Sequence, residues 1–335
     1  MTYRNFGRTG MMVSPLCLGT MNFGNLTDLT ASCAIIDRAI DAGINFIDTA
    51  NVYSRGRSEE MVGEALKRNG RRSRIVLATK VQGTMDDTDP NAQGISRRHI
   101  IAECEASLRR LQTDHIDLYQ LHRPSTECAI DESLRALDDL VRAGKVRYIG
   151  SSFFASWKII EALWTSKELG LNRFVSEQPP YNILDRRIER ELIPMAQTYS
   201  IALMPFAPLA GGMLSGKYTS GQAAPAGTRL ADTSNWRNKL RLTDPIVAKA
   251  AEVSVLAQAK GVTSIALATA WVLQQPGVTS PIIGPRTLEQ LEAYLACINV
   301  EITAQDSAAI DRIVAPGEHI SPFYQTEFGG ANRHR

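Results

Sequence analysis

The sequence contains no CxxC pair, and its five cysteines (Cys17, Cys33, Cys104, Cys128 and Cys297) are odd in number and widely scattered. That pattern excludes a zinc ribbon and the disulfide framework of a small secreted domain, and it points to a reducing, cytoplasmic setting. There is no GxGxxG, so a Rossmann dinucleotide turn is unsupported. No apolar run approaches membrane-spanning length, the longest being near IALATAWVL. The amino terminus, MTYRNFGRTG, lacks the apolar core of a secretory signal. Charge of one sign is also lacking: 37 basic and 35 acidic residues leave +2, which gives no footprint for nucleic acid or a membrane surface. No low-complexity segment, linker or repeat larger than a βα unit divides the chain.

What remains is a chain of 335 residues, 44% hydrophobic and 21% charged, long enough to bury most of its unfolded surface. Short apolar runs alternate with helical patterns. The runs end at Gly19, Asp48, Lys80, His122, Ser152, Gln178, Pro205 and Gly284. In DESLRALDDLVRAG, Leu134, Leu137, Leu140 and Val141 fall at helical spacing, and Gly144 stands at the C-cap position. Eight strands with intervening helices predict a parallel sheet closed into a (β/α)8 barrel, with residues 1–335 as one domain. A doubly wound open sheet fits less well, because the chemically distinctive residues are spread over many strand ends rather than one switch point. Residues 2–13 read as a hairpin with a Thr9-Gly10 turn. The connection over 206–244, after the seventh strand, is long and rich in Gly, Ser, Pro and Ala, as functional loops often are. The tail over 316–335 has no clear pattern but contains Phe323, Tyr324 and Phe328.

The stretch GINFIDTANVYSRGRSEEMVGEAL places Asp48 at a strand end and Tyr53 in the loop beyond it. Lys80 closes RIVLATK and His122 closes HIDLYQLH. Singly, each has a plain explanation: a turn cap, a rim aromatic, a solvated lysine, a structural histidine. Four such residues at strand ends match the needs of carbonyl reduction, which requires a hydride at carbon and a proton at oxygen. Tyrosine can donate that proton, and a neighbouring Lys80 is expected to lower its pKa from about 10. Asp48 can hold the ammonium, and His122 can align the substrate oxygen. No metal is required, so activity is expected to survive chelation. Lys80 as a Schiff-base nucleophile is a rival that Asp48 disfavours by keeping the lysine protonated.

Together with LDDLVRAGKVRYIGSS and PIIGPR, this stretch resembles the aldo-keto reductases nearly end to end, and leans to the branch of bacterial general reductases and potassium-channel beta subunits. The resemblance implies a hairpin plugging the barrel bottom, an NADPH/NADP+ cofactor, a small aldehyde, ketone or alcohol as substrate, and the roles above for Asp48, Tyr53, Lys80 and His122. It places the cofactor against Gly19, Thr20 and Met21 at the first strand end. Ser152 and Gln178 fall on the carboxamide-binding positions, with Phe153 where many members have asparagine. Phe206 falls on the ring-stacking position. Leu209, Gly211 and Lys217 belong to the pyrophosphate loop. There GxxxxGK nearly reads as a P-loop, but Tyr218 stands where a Ser or Thr would be needed. Gly284, Arg286 and Gln290 fall on the 2′-phosphate turn, where Thr287 and Gln290 predict a capping box and a helix start that favours an anion. Ala293 and Tyr294 replace a frequent Glu-Asn pair there. Phe23 and Trp236, with Tyr53, are expected to line the substrate pocket. The alternative function is an NADPH-binding, redox-sensing subunit with little turnover.

Overall fold

Leucines at helical spacing do what their spacing predicts: in the helix Ile130–Arg142, Leu134, Leu137 and Leu140 are buried while Arg135 and Asp139 face outward. The computed structural model describes residues 1–232, 234, 238 and 241–320. Trp236 and the tail from 321 onward, with Phe323, Tyr324 and Phe328, lie outside the described residues.

Ten strands follow in chain order: β1 (Arg4–Asn5), β2 (Met12–Val13), β3 (Cys17–Gly19), β4 (Phe46–Asp48), β5 (Val76–Val81), β6 (Ile116–Leu121), β7 (Val146–Ser152), β8 (Phe174–Gln178), β9 (Ala202–Leu203) and β10 (Ile282–Ile283). The last eight form one parallel sheet in the order β10-β3-β4-β5-β6-β7-β8-β9, with helices in the crossovers. The edges of that sheet approach each other: the Ile282 amide donates to the Pro205 carbonyl at 2.8 Å and Thr279 to Leu203 at 2.8 Å. This curled sheet is consistent with the expected (β/α)8 barrel. Strand β9 ends at Leu203 rather than at the expected Pro205; beyond it the Met204 amide still donates to the Glu177 carbonyl at 3.1 Å, but Pro179 on the facing strand has no N–H to return a bond. Pairing resumes as an isolated bridge between Pro180 and Phe206.

The hairpin is present as β1 paired antiparallel with β2, and its turn begins earlier than expected, at Gly7 with φ +57°. A Cβ at Gly7 would lie 2.7 Å from the Ser200 carbonyl oxygen, so the turn needs glycine for space as well as conformation. Phe6 and Val13 are buried in a cluster with Phe46, Leu118, Ala202 and Met204, contributed by strands β4, β6 and the β9 region. Phe6 meets Phe46 edge-on, with ring centroids 5.5 Å apart.

The long connection is partly structured by short turns of helix at Ala210–Ser215 and Arg229–Ala231. The first described residues of the tail are tied down, with the Arg186 amide donating to the Glu318 carbonyl and the Ile320 amide to that of Leu184. Among the described residues no single helix is long and apolar enough to cross a membrane.

Candidate active site

Parallel pairing fixes which strand ends are neighbours. Register sets Gly19 beside Asp48, Lys80 beside Gln120 and Ser152 beside Gln178. The distinctive side chains therefore gather at the carboxyl ends of the strands, where barrel chemistry is built. The Lys80 ammonium donates to Asp48 Oδ1 at 2.5 Å, to the Thr49 carbonyl at 2.8 Å and to the Tyr53 hydroxyl at 3.3 Å. Lys80 and Asp48 are sealed from solvent, at 0% and 2% exposure, while Tyr53 and His122 are only half-buried and reach the mouth. The rings of Tyr53 and His122 meet edge-on with centroids 5.7 Å apart.

Tyr53 is held in place by an unusual piece of backbone. Ser54 and Arg55 both adopt left-handed conformations, φ 48° and 53°. Such residues persist only where the surroundings fix them. Here Ser54 Oγ donates to the Phe23 carbonyl at 3.0 Å, and Arg55 pairs with Asp87.

Electrostatics at the site correct one expectation. Burial raises the Tyr53 pKa, and this outweighs the lowering by Lys80, so the phenol is a weaker acid than usual rather than a stronger one. Asp48 adds to the rise. Burial also works against the Lys80 charge, but Asp48 and Tyr53 more than compensate, and its proton is held more tightly than usual. Burial, then Lys80 and Arg123, push His122 well below the ordinary histidine range. At neutral pH the site therefore holds a protonated phenol, an ammonium and a neutral imidazole. An ammonium so held is a poor Schiff-base nucleophile.

Gln120, which the sequence reading missed, completes the support of Asp48. It donates to Asp48 Oδ2 at 3.0 Å, and Gln178 donates to the same oxygen at 3.1 Å and to Gln120 Oε1 at 3.2 Å. Its signal was available, because Gln120 lies two residues before His122 along the strand path and so on the same face. Ser152 Oγ donates to the Gln178 carbonyl at 2.9 Å, which brings both predicted carboxamide residues to one point. Beside them Phe153, at φ +62°, lays its ring 4.9 Å from that of Phe206 and beneath the Arg123 guanidinium, 4.3 Å from the ring centre. Glu177, also missed, lies behind this turn with no exposure; Ser151 Oγ donates to it at 2.5 Å and the Phe154 amide at 3.1 Å. Burial pushes its carboxyl up to about 8.

A second group of predicted residues gathers further out. Partial desolvation, then the charges of Arg286 and Arg229, lower the Lys217 pKa, so three cations share one neighbourhood. Arg229 donates to Asn22 Oδ1 at 3.0 Å, and Asn22 Nδ2 donates to the Gly284 carbonyl at 3.0 Å, linking the long loop to the first and last strand ends. Gly211, Gly212 and Gly216 all have positive φ, and no helix follows the GxxxxGK directly, unlike a P-loop. At the 290 turn only half of the expected capping box forms. Thr287 Oγ1 accepts from the Gln290 amide at 3.2 Å, but Gln290 Oε1 accepts from the Arg286 amide at 2.9 Å instead of from Thr287. That bond fixes Arg286 at the helix start. Tyr294 is buried in the core, and burial pushes its phenol up to about 12.

Other predicted residues are placed differently. Phe23, expected as an aromatic of the mouth, has no exposure and packs inward in the main core, so it does not line the mouth. Leu209 buries its side chain in the same core. Thr20 Oγ1 is engaged with the Asp48 carbonyl at 3.2 Å and Ser58 Oγ at 2.9 Å, whereas Met21 is exposed. A Cβ at Gly19 would stand 2.5 Å from Ile282 Cγ2, so strand packing alone demands glycine there. Among the described residues no group of three His, Cys, Asp or Glu side chains is placed to hold a metal ion.

The aldo/keto reductase family model matches residues 15–315. The chain belongs to the aldo/keto reductase family. An uncharacterized oxidoreductase of Bacillus subtilis is 41% identical over 310 residues, covering 90% of this chain and 92% of that protein. A probable voltage-gated potassium channel subunit beta of Arabidopsis thaliana is 36% identical, covering 90% and 92%. The versiconal hemiacetal acetate reductase of Aspergillus parasiticus is 32% identical, covering 95% of this chain and 100% of its own. Both the reductase and the channel-subunit sides of the expected resemblance are thus represented, and an oxidoreductase acting on small carbonyl compounds is the activity that the family supports.

Proposed function

We propose that this aldo/keto reductase is an NADPH-dependent enzyme that reversibly reduces an aldehyde or ketone to an alcohol, with Tyr53 as the proton donor. The observation that carries the reading is the Lys80 ammonium shared between Asp48 and the Tyr53 hydroxyl at the strand ends. Tyr53 keeps its proton at neutral pH and presents it at the half-open mouth. His122, uncharged, hydrogen-bonds and aligns the substrate oxygen beside Tyr53. As the proton leaves, Lys80 stabilises the phenolate, while Asp48, held by Gln120 and Gln178, keeps the ammonium in place.

The residues present fit the cofactor. Ser152 and Gln178 meet where a carboxamide would be gripped, and Phe206 offers an aromatic face beside them. Phe153 in place of asparagine enlarges that face and takes Arg123 with it. The cations Lys217, Arg229 and Arg286, with the glycines of the long loop and Gly19, Gly284 and Gln290, suit the phosphates of NADPH. NADPH bound there supplies the hydride. We read the chain as one barrel unit, with the hairpin, through Phe6, closing its amino-terminal end.

A panel of aldehydes and ketones followed by NADPH absorbance tests the reading. Consumption of NADPH that is absent in Tyr53→Phe supports it; no turnover with any carbonyl, despite tight NADPH binding, favours instead the redox-sensing subunit that the channel-subunit relatives bring to mind.

A further inference from the structure

We propose that a hollow at the amino-terminal end of the sheet, walled by Arg8, Arg147 and Arg173, binds a phosphate-class anion. The hollow, of about 350 Å³, forms where the hairpin turn at Arg8 and Thr9 meets the beginning of β7 at Arg147 and Tyr148 and the run Asn172–Arg173 into β8. Because the strands are parallel, this is the end opposite the Asp48–Lys80 site.

The three arginines differ from Arg57 and Arg110 in what faces them. Arg147 reaches only the Gly144 carbonyl, at 3.4 Å. Arg173 reaches the carbonyls of Phe174 at 3.4 Å and Tyr199 at 2.9 Å. Among the described residues none of the three has a carboxylate within the 4.0 Å of an ion pair. A second hollow, of about 480 Å³ beside the helices Arg57–Asn69 and Arg97–Arg110, shows the contrast. There Arg57 meets Glu60 at 2.6 Å, and Arg110 meets Glu59 at 2.6 Å and Glu103 at 3.0 Å. Burial and then the Arg8 charge lower the Arg173 pKa, so these two guanidinium groups are close enough to repel. A dianion between them removes that repulsion. Guanidinium forks match phosphate oxygens in pairs, and positive charge in a concave wall concentrates anions. The volume admits inorganic phosphate, pyrophosphate or a sugar monophosphate.

Calorimetric titration of the NADPH-saturated protein with inorganic phosphate, pyrophosphate and a sugar monophosphate, at constant ionic strength, tests the site and separates the sources. One saturable site is expected. Arg8→Ala and Arg147→Ala, both exposed side chains, should each weaken it by roughly tenfold, the scale of one charge-assisted contact. Arg286→Ala, at the other end, should leave it unchanged. Without cofactor, the Arg8→Ala/Arg147→Ala double variant should show the same weakening relative to the wild type, which makes the result independent of the cofactor reading. No saturable heat in the wild type, binding lost in Arg286→Ala, or undiminished binding in the Arg8→Ala/Arg147→Ala double variant would overturn the proposal.

Discussion

The Lys80 ammonium lies 3.3 Å from the Tyr53 hydroxyl but 2.5 Å from the Asp48 carboxylate. The lysine is committed to the aspartate and only lightly engaged with the phenol. A cation beside Tyr53 leaves the phenol protonated because burial outweighs the lysine field, and Asp48 offsets part of that field. In the proposed reaction the cation matters most as charge develops on the phenolate oxygen.

Removing the phenol tests this first. Tyr53→Phe should lower kcat by about 10²–10⁴, the usual share of general acid catalysis, and leave NADPH affinity nearly unchanged. Stopped-flow turnover and fluorescence titration of the cofactor measure the two separately. A wild-type kcat in the variant removes Tyr53 from the proton-donor role.

The pH dependence of reduction follows from the two shifted groups. Tyr53 is raised, so the reducing form persists through neutral pH and is lost only above about pH 10. His122 is lowered well below the ordinary range, so no inflection belonging to it should appear near pH 6.5. A kcat/KM profile for carbonyl reduction between pH 5 and 11 checks both. A neutral-range inflection that disappears in His122→Asn would contradict the uncharged imidazole.

Breaking the buried pair should unfold the site before it retunes it. Asp48→Asn leaves the fully buried Lys80 without its counter-charge, a change that typically costs about 3–5 kcal/mol. Urea denaturation of the variant measures the loss. A midpoint within error of the wild type would mean that Lys80 has deprotonated or found another partner.

Glu177 predicts a slope in stability. Its folded-state pKa is raised from 4.5 to about 8, so the folded protein keeps a proton that the unfolded chain releases. The contribution is complete below about pH 4.5, declines as pH rises, and is gone above about pH 8. Glu177→Gln, which cannot ionise, should flatten the denaturation midpoint over that window. Equal slopes in both proteins would show that the carboxyl titrates elsewhere.

The proposed preference for NADPH assigns the 2′-phosphate contact to Arg286 at the helix start. Losing one charge-assisted contact costs on the order of 1.5–3 kcal/mol, so Arg286→Ala should raise KM for NADPH by roughly tenfold or more and leave NADH nearly untouched. Steady-state kinetics with both cofactors decides. Equal weakening of both, or a wild type that prefers NADH, would take Arg286 out of 2′-phosphate recognition.

By itself the sequence determined the alternation of strand and helix and the strand ends at Gly19, Asp48, Ser152 and Gln178, because apolar periodicity is local and a parallel sheet brings successive carboxyl ends together. It also determined the family, since Asp48, Tyr53, Lys80 and His122 and their flanking stretches carry the resemblance. Only the tertiary structure decided which side chains stand behind them. Gln178 reaches Asp48 across 130 residues, and Gln120 across 72. Phe23, four residues past the strand end at Gly19, turned into the core instead of the mouth. The direction of the Tyr53 shift depended on burial set by several strands at once, and desolvation, unlike charge, cannot be read from the residue type beside it.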